Sequence, residues 1–141
     1  MLKVTMIRLL FSLLLFTSHL CASDEPQNFW RLNIYDNSGQ FTSNAVINLT
    51  KTPANACLDG KWFQVKVLEF NAMEAETFPF TNQLSYRFDG NKILLGRNNR
   101  CDSYAQLAGE LNGNTISGSY FLFGLGWSKD LGTFSMSKVD I

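Results

Sequence analysis

Few side chains in this sequence could support catalysis or bind a metal: one histidine, His19, three cysteines and twelve acidic residues. A Ser-His-Asp or Cys-His relay needs a histidine, and so does an imidazole zinc site. The chemistry open to the protein therefore depends on whether His19 belongs to the folded domain.

The segment that contains His19 has the features of a secretory signal peptide. Lys3 and Arg8 are followed by an apolar run, residues 9–16, which is too short to span a bilayer. Ala22 then supplies a small residue at the cleavage position. We interpret residues 1–22 as a signal peptide and residues 23–141 as a single domain, periplasmic or secreted. A lipid-modified Cys21 remains an alternative.

Removal of this segment changes the inventory of reactive groups. His19 and Cys21 are lost, so the mature chain has no histidine and keeps only Cys57 and Cys101. In an exported protein, two cysteines are expected to form a disulfide. The closed loop of about 45 residues would stabilise the fold by roughly 4 kcal/mol.

The acidic residues do not define an active site. A glycosidase-like pair requires two carboxylates in different environments, and no spacing in the sequence selects such a pair. Loss of two basic residues with the signal leaves ten basic against twelve acidic side chains, a formal charge near −2. We therefore predict no enzyme activity, no metal, no cofactor and no nucleic-acid partner.

The segment from Phe123 to Gly132 is the first candidate binding site, and we expect it to be a loop. Phe123, Leu125 and Trp127 alternate with glycines, and Lys129 follows. Loops on a rigid scaffold often carry function, and a tryptophan beside a lysine suits an interface anchor. In the alternative, the preceding strand continues to Leu125 and Trp127 plugs one end of the fold.

A second candidate lies beside the predicted disulfide. Arg97 and Arg100 flank a short polar segment just before Cys101. Two arginines on a rigid turn could bind a partner. The alternative is a solvated hairpin tip without a binding function.

The elements that position these candidates are predicted to be β-strands. Residues 105–122 form a hairpin if Asn112-Gly113 is its two-residue turn. Leu111 then faces Asn114, and Gly109 faces Ile116. This assignment gives one apolar face: Ala105, Leu107, Gly109, Leu111, Ile116, Gly118, Tyr120 and Leu122. A glycine within such a face often marks close backbone approach.

The same alternation predicts eight strands joined mostly by short turns. The other six are predicted over residues 28–35, 43–50, 61–70, 83–88, 91–96 and 133–139. Sequential hairpins favour an all-β, eight-stranded antiparallel up-and-down barrel, with a sandwich as the alternative. In the longest loop, Phe78 and Phe80 flank Pro79, and we expect these two rings to cap one barrel end.

Gly60-Lys61-Trp62 matches a tripeptide that lipocalins and avidins place near the start of their first barrel strand. In outline the predicted barrel thus resembles the calycin class. Here the tripeptide opens the predicted third strand, so the resemblance implies the architecture only, with no ligand and no residue roles.

These observations favour an exported, non-enzymatic binding protein. The first hypothesis is a protein partner, with the chain acting as a hydrolase inhibitor or a toxin immunity protein. The alternative is a lipocalin- or avidin-like carrier of a small apolar ligand in the lumen, where Gly109 and Gly118 would leave space. Charged residues on the outward faces of the strands argue against a membrane span.

Overall fold

The computed structural model describes residues 27–73, 78–97, 99 and 101–141. The predicted signal peptide, including Cys21, lies outside the described residues. The eight strands are β1 (Phe29–Asp36), β2 (Phe41–Pro53), β3 (Phe63–Ala72), β4 (Leu84–Asp89), β5 (Lys92–Arg97), β6 (Tyr104–Asn112), β7 (Thr115–Gly124) and β8 (Trp127–Lys138).

The strands form a closed antiparallel barrel in which each pairs with its sequence neighbours and β1 pairs with β8. The predicted up-and-down barrel is confirmed, and the sandwich does not form. Within the described residues there is no helix that is long and apolar enough to cross a membrane.

Inward-facing side chains from all eight strands fill the lumen, as the period-two pattern predicts. The buried set from β1 and β2 includes Leu32, Ile34, Ile47 and Leu49, and β6 to β8 add Leu107, Ile116, Phe134 and Met136. The apolar face predicted for the 105–122 hairpin is the inward face.

The two glycines of that face lie opposite each other and leave room for one aromatic ring. Gly109 pairs with Gly118 across β6 and β7, and Gly118 pairs with Phe134 across β7 and β8. A Cβ on Gly109 would lie 2.7 Å from Cζ of Phe134, and one on Gly118 would collide with the carbonyl oxygen of Ala108. The close approach expected at these glycines is confirmed, and Phe134 takes the space beside them.

The predicted register of this hairpin is wrong by two residues. Asn112 pairs with Thr115, so Gly113 and Asn114 form the turn. Gly113 has φ +60°, as the first central residue of a type II′ turn requires. A shift of two residues preserves the inward face, whereas a shift of one would invert it. The β4–β5 hairpin has the same kind of turn, formed by Gly90 and Asn91, because Asp89 pairs with Lys92.

In β3, a bulge changes which side chains face inward. Ile47 pairs with Val67, but Val46 pairs with Glu69, so Leu68 is the extra residue. Beyond Leu68 the alternation is reversed, and Phe70 lies on the inward side, where it stacks on Phe80 at 5.5 Å. Phe70 thus lies on the same side as the buried Ala45, although 48% of its own surface is exposed.

The barrel has two different ends. At the turn end lie both termini of the barrel and the tight turns at 90–91 and 113–114. At the loop end lie the connections 37–40, 73–83 and 98–103 and the β7–β8 turn at 125–126. Phe78 and Phe80 are buried at the loop end, and Phe78 packs edge-on against Tyr120 at 5.8 Å. The expected capping role of the two phenylalanines is confirmed.

Residues 54–62 connect β2 with β3 and form a strap that lies beside residues of β5 and β6. Cys57 of the strap is disulfide-bonded to Cys101 near the loop end, with 5.2 Å between their Cα atoms. The indole N–H of Trp62 donates to the carbonyl oxygen of Leu58 at 3.1 Å. Arg87 lies over the Trp62 ring, 5.3 Å from its centroid. The predicted cysteine pairing is thus present in the fold.

Candidate functional site

The segment predicted as a glycine-rich loop is a β-hairpin. β7 continues to Gly124, the turn contains only Leu125 and Gly126, and β8 begins at Trp127. Gly126 has φ +77°, which allows this tight connection. The prediction of a loop over 123–132 is wrong because the period-two alternation of this segment belongs to two strands, with the glycines interspersed.

This hairpin extends past the neighbouring strand β1. The pairing of β1 with β8 ends at Gly132, which lies opposite Asp36, while the pairing of β7 with β8 continues to Gly124 and Trp127. We call residues 121–131 the overhang. The side-chain amide of Asn37, in the β1–β2 turn, donates to the carbonyl oxygen of Asp130 at 3.0 Å and supports the overhang from below.

The tip of the overhang exposes large apolar side chains. Leu125 is 84% exposed and Trp127 is 50% exposed. The Trp127 ring lies against Gly124, where any Cβ would collide with the indole. Trp127 therefore covers its own hairpin and does not plug the barrel end, contrary to the alternative prediction.

Phe123 has a supporting position on the outer side of the overhang. Its ring stacks on Tyr104 at 5.7 Å between centroids and contacts Phe121 edge-on at 4.6 Å. These contacts fix the hairpin against β6. Phe123 is half-buried, so among the predicted binding residues it contributes less free surface than Leu125 or Trp127.

The inner side of the overhang borders a recess at the loop end, and the structure brings Arg97 and Lys129 together there. The cavity has a volume of about 430 Å³. It is lined by Pro79, Arg97, Asp102, Ser103, Tyr104, Ala105, Tyr120, Leu122, Lys129 and Leu131. Arg100, the other predicted arginine, lies outside the described residues.

Two polar groups in the recess have unusual surroundings. The Nε atom of Arg97 is buried and donates to no acceptor among the described residues. Burial raises the pKa of the Tyr120 phenol, and the positive charge of Arg97 partly opposes this effect. The Tyr120 hydroxyl is therefore protonated at neutral pH and lies within the electrostatic influence of Arg97.

Sequence reasoning found Arg97 and Lys129 as separate candidates and missed the rest of the recess. Tyr120 was predicted only as an inward side chain, and Leu131 was placed in a loop. The pairing of β7 with β8 contains a bulge: Tyr120 pairs with Gly132 and Phe121 pairs with Asp130, so Leu131 has no partner residue on β7. No local pattern in the sequence marks a bulge at this position.

The carboxylates of the described part of the chain lie on several different elements. No group of three or more histidine, cysteine, aspartate or glutamate side chains that could hold a metal occurs there. Asp59 belongs to the strap, Asp102 to the β5–β6 connection and Asp130 to β8. Glu74 and Glu76 lie outside the described residues.

Comparisons of the chain with protein-family models, with curated proteins and with solved structures found no match.

Proposed function

We propose that this chain is an exported, non-enzymatic protein that binds and inhibits another protein, with the tip of the overhang as its anchor. The observation that carries the proposal is Leu125, which is 84% exposed at the end of a paired hairpin. Together with Trp127, which is 50% exposed, it forms an apolar tip, and a partner that removes this tip from water would gain binding free energy.

The scaffold behind the tip favours binding without rearrangement. Asn37 holds the overhang on one side, and the stacked rings of Tyr104 and Phe123 hold it on the other. A pre-organised hairpin loses little conformational entropy on binding, which raises affinity for a given contact area. Inhibitors that act by insertion benefit from this rigidity.

The shape of the overhang suits the active-site cleft of a hydrolase. A two-residue turn makes a narrow convex tip, and the adjacent charges of Lys129 and Asp130 leave the overhang without net charge. Glycoside hydrolases bind their substrate in a cleft that contains two carboxylates, and a narrow tip is complementary to such a cleft in shape. We therefore place a cell-wall glycoside hydrolase first among partners and a toxin, with this chain as its immunity protein, second.

The structure offers no particular support for an apolar ligand carried inside the barrel. The space beside Gly109 and Gly118 is taken by Phe134, and the side chains around it are buried. A carrier would require displacement of this packing.

The test is an inhibition assay with purified muramidases and related cell-wall hydrolases. We expect inhibition by the unmodified protein and at least a tenfold weaker effect from Leu125→Ser or Trp127→Ala. Leu68→Ser is the matched control, because Leu68 is also an exposed leucine but lies on β3. Equal inhibition by all four proteins would place the contact elsewhere.

If no hydrolase is inhibited, the same variants can be tested against candidate toxins from the organism that encodes the chain. Binding that is independent of Leu125 and Trp127 would contradict the assignment of the tip as the anchor. Thermal unfolding of each variant, measured alongside, separates loss of contact from loss of fold.

A further inference from the structure

The recess beside the overhang carries a second inference, which does not depend on the proposed protein partner. Its volume of about 430 Å³ falls within the roughly 300–1,000 Å³ of small-molecule sites. The walls come from separate parts of the chain: β5, β6, β7 and β8, the β5–β6 connection and Pro79.

The charges at the recess favour an anion. Arg97 and Lys129 supply two positive charges, and Asp102 is the acidic side chain in the lining. Arg97 is partly buried, while Lys129 and Asp102 are exposed at the rim. The charge of Arg97 is therefore less hydrated than the charges of Lys129 and Asp102, and it interacts more strongly with a ligand inside the recess.

Arg97 supplies the less exposed cation of the recess. Its Nε is enclosed by the protein, so a ligand in the recess would meet the terminal nitrogens of the guanidinium. Those two nitrogens can donate to both oxygens of one carboxylate. The protonated Tyr120 hydroxyl can donate to the same ligand.

The rest of the lining favours an organic ligand over an inorganic ion. Leu122, Leu131, Pro79 and the ring of Tyr120 supply apolar surface next to Arg97. A simple inorganic anion would leave that surface in contact with water. A small apolar body attached to the anionic group would cover it.

We propose that the recess binds a small organic carboxylate, with its carboxylate group on Arg97 and its apolar body against Leu122 and Leu131. Lys129 closes the rim and adds attraction without a fixed geometry. This ligand would be an anion held in the recess at the loop end, whereas a lipocalin-like carrier would hold an uncharged apolar molecule in the lumen.

The experiment uses the full exported protein with its disulfide formed and three probes: 3-phenylpropanoate, the neutral 3-phenylpropanol and inorganic phosphate. Binding is followed by amide chemical shifts in NMR titrations at millimolar probe concentrations. We expect saturable shifts around Ala105 and Leu122 with the carboxylate only. Equal binding of the alcohol, equal binding of phosphate, or no saturable binding would each overturn the proposal.

Variants locate the carboxylate group. Arg97→Gln is expected to weaken binding at least tenfold and Lys129→Gln about threefold, as for a charge at the rim. Lys66→Gln is the matched control, because this exposed lysine lies on the outer face of β3. If the Arg97→Gln variant does not fold, the Lys129→Gln variant provides the test. An affinity of Lys129→Gln for the carboxylate probe equal to that of the unmodified protein would contradict the proposed site.

Discussion

The two ends of the barrel share one lumen but differ in how their inward side chains are used. At the turn end, the inward side chains are buried, among them Trp30, Ile116 and Met136. Two-residue turns close the β4–β5 and β6–β7 hairpins there. At the loop end, the overhang carries Leu122 and Lys129 past the last residue of β1. Inward positions without a strand opposite them leave a recess, so strand stagger leaves the loop end open where the turn end is filled by packed side chains.

The strap links these two ends, and removal of its disulfide should have the largest effect. The double variant Cys57→Ser with Cys101→Ser is expected to lose about 4 kcal/mol of unfolding free energy, because the unfolded chain regains the entropy of an open loop. Chemical denaturation of the oxidised and variant proteins measures the difference. A loss of unfolding free energy below about 1 kcal/mol would mean that the contacts of Trp62 and Arg87 keep the strap in place without the disulfide.

Truncations on the same strand sharpen the contrast between the ends. Ile116→Ala, at a residue that is 1% exposed, should destabilise the protein by about 3 kcal/mol through the cavity it leaves. Leu122→Ala should cost only about 1 kcal/mol, because Leu122 borders the recess and is partly hydrated already. Equal losses, measured by denaturant unfolding, would contradict the difference between the ends.

The tip of the overhang should matter little for folding. Leu125→Ser is expected to change the unfolding free energy by less than about 0.5 kcal/mol, since the side chain has few contacts to lose. Thermal and denaturant unfolding of this variant check the result, with Leu68→Ser as the comparison. A large loss would show that Leu125 packs within the fold and would remove the argument for an anchor.

The smallest expected effect concerns Asp36, in the turn that supports the overhang. Its carboxylate accepts from the Ser38 hydroxyl at 2.6 Å and from the Gln40 N–H at 2.9 Å. The Ser38 hydroxyl first, and the Gln40 amide next, hold the pKa of Asp36 below its ordinary value. A lowered folded-state pKa adds stability above the unfolded pKa, and this contribution disappears as the pH falls through the folded value.

The matching experiment compares the unmodified protein with Asp36→Asn from neutral pH to about pH 3. The loss of stability below about pH 4 should be shallower in the variant. Since the Asp36 side chain lies at the surface and is only partly buried, the difference is expected to be small. Identical pH profiles would show that the pKa of Asp36 does not differ between the folded and the unfolded chain.

Several features of the fold could be predicted from local pattern because each depends on neighbouring residues. Alternation assigned the inward face of residues 105–122, and Phe78 and Phe80 were expected to cap an end. The cysteines could be paired by elimination once residues 1–22 were set aside. The architecture followed from short turns between all strands, which leave sequential antiparallel pairing as the simple solution.

The candidate site was predicted only in part, for reasons of stagger and bulges. Both Asn112-Gly113 and Gly113-Asn114 are acceptable turns, and the two choices put the same side chains inward, so local rules could not decide between them. Closure of the barrel decides: with Gly113-Asn114 in the turn, Gly109 meets Gly118 and Phe134 fits beside them. A sequence pattern does not contain that three-strand contact.

The sequence by itself determined the inward and outward faces of residues 105–122 and the pairing of Cys57 with Cys101, because these depend on residue type and on the period of two. The tertiary structure alone decided that Phe70 turns inward after Leu68, that β8 starts at Trp127, and that Arg97 and Lys129 share one recess. Each of these depends on how far one strand slides past another, and that displacement is set by packing across the whole barrel.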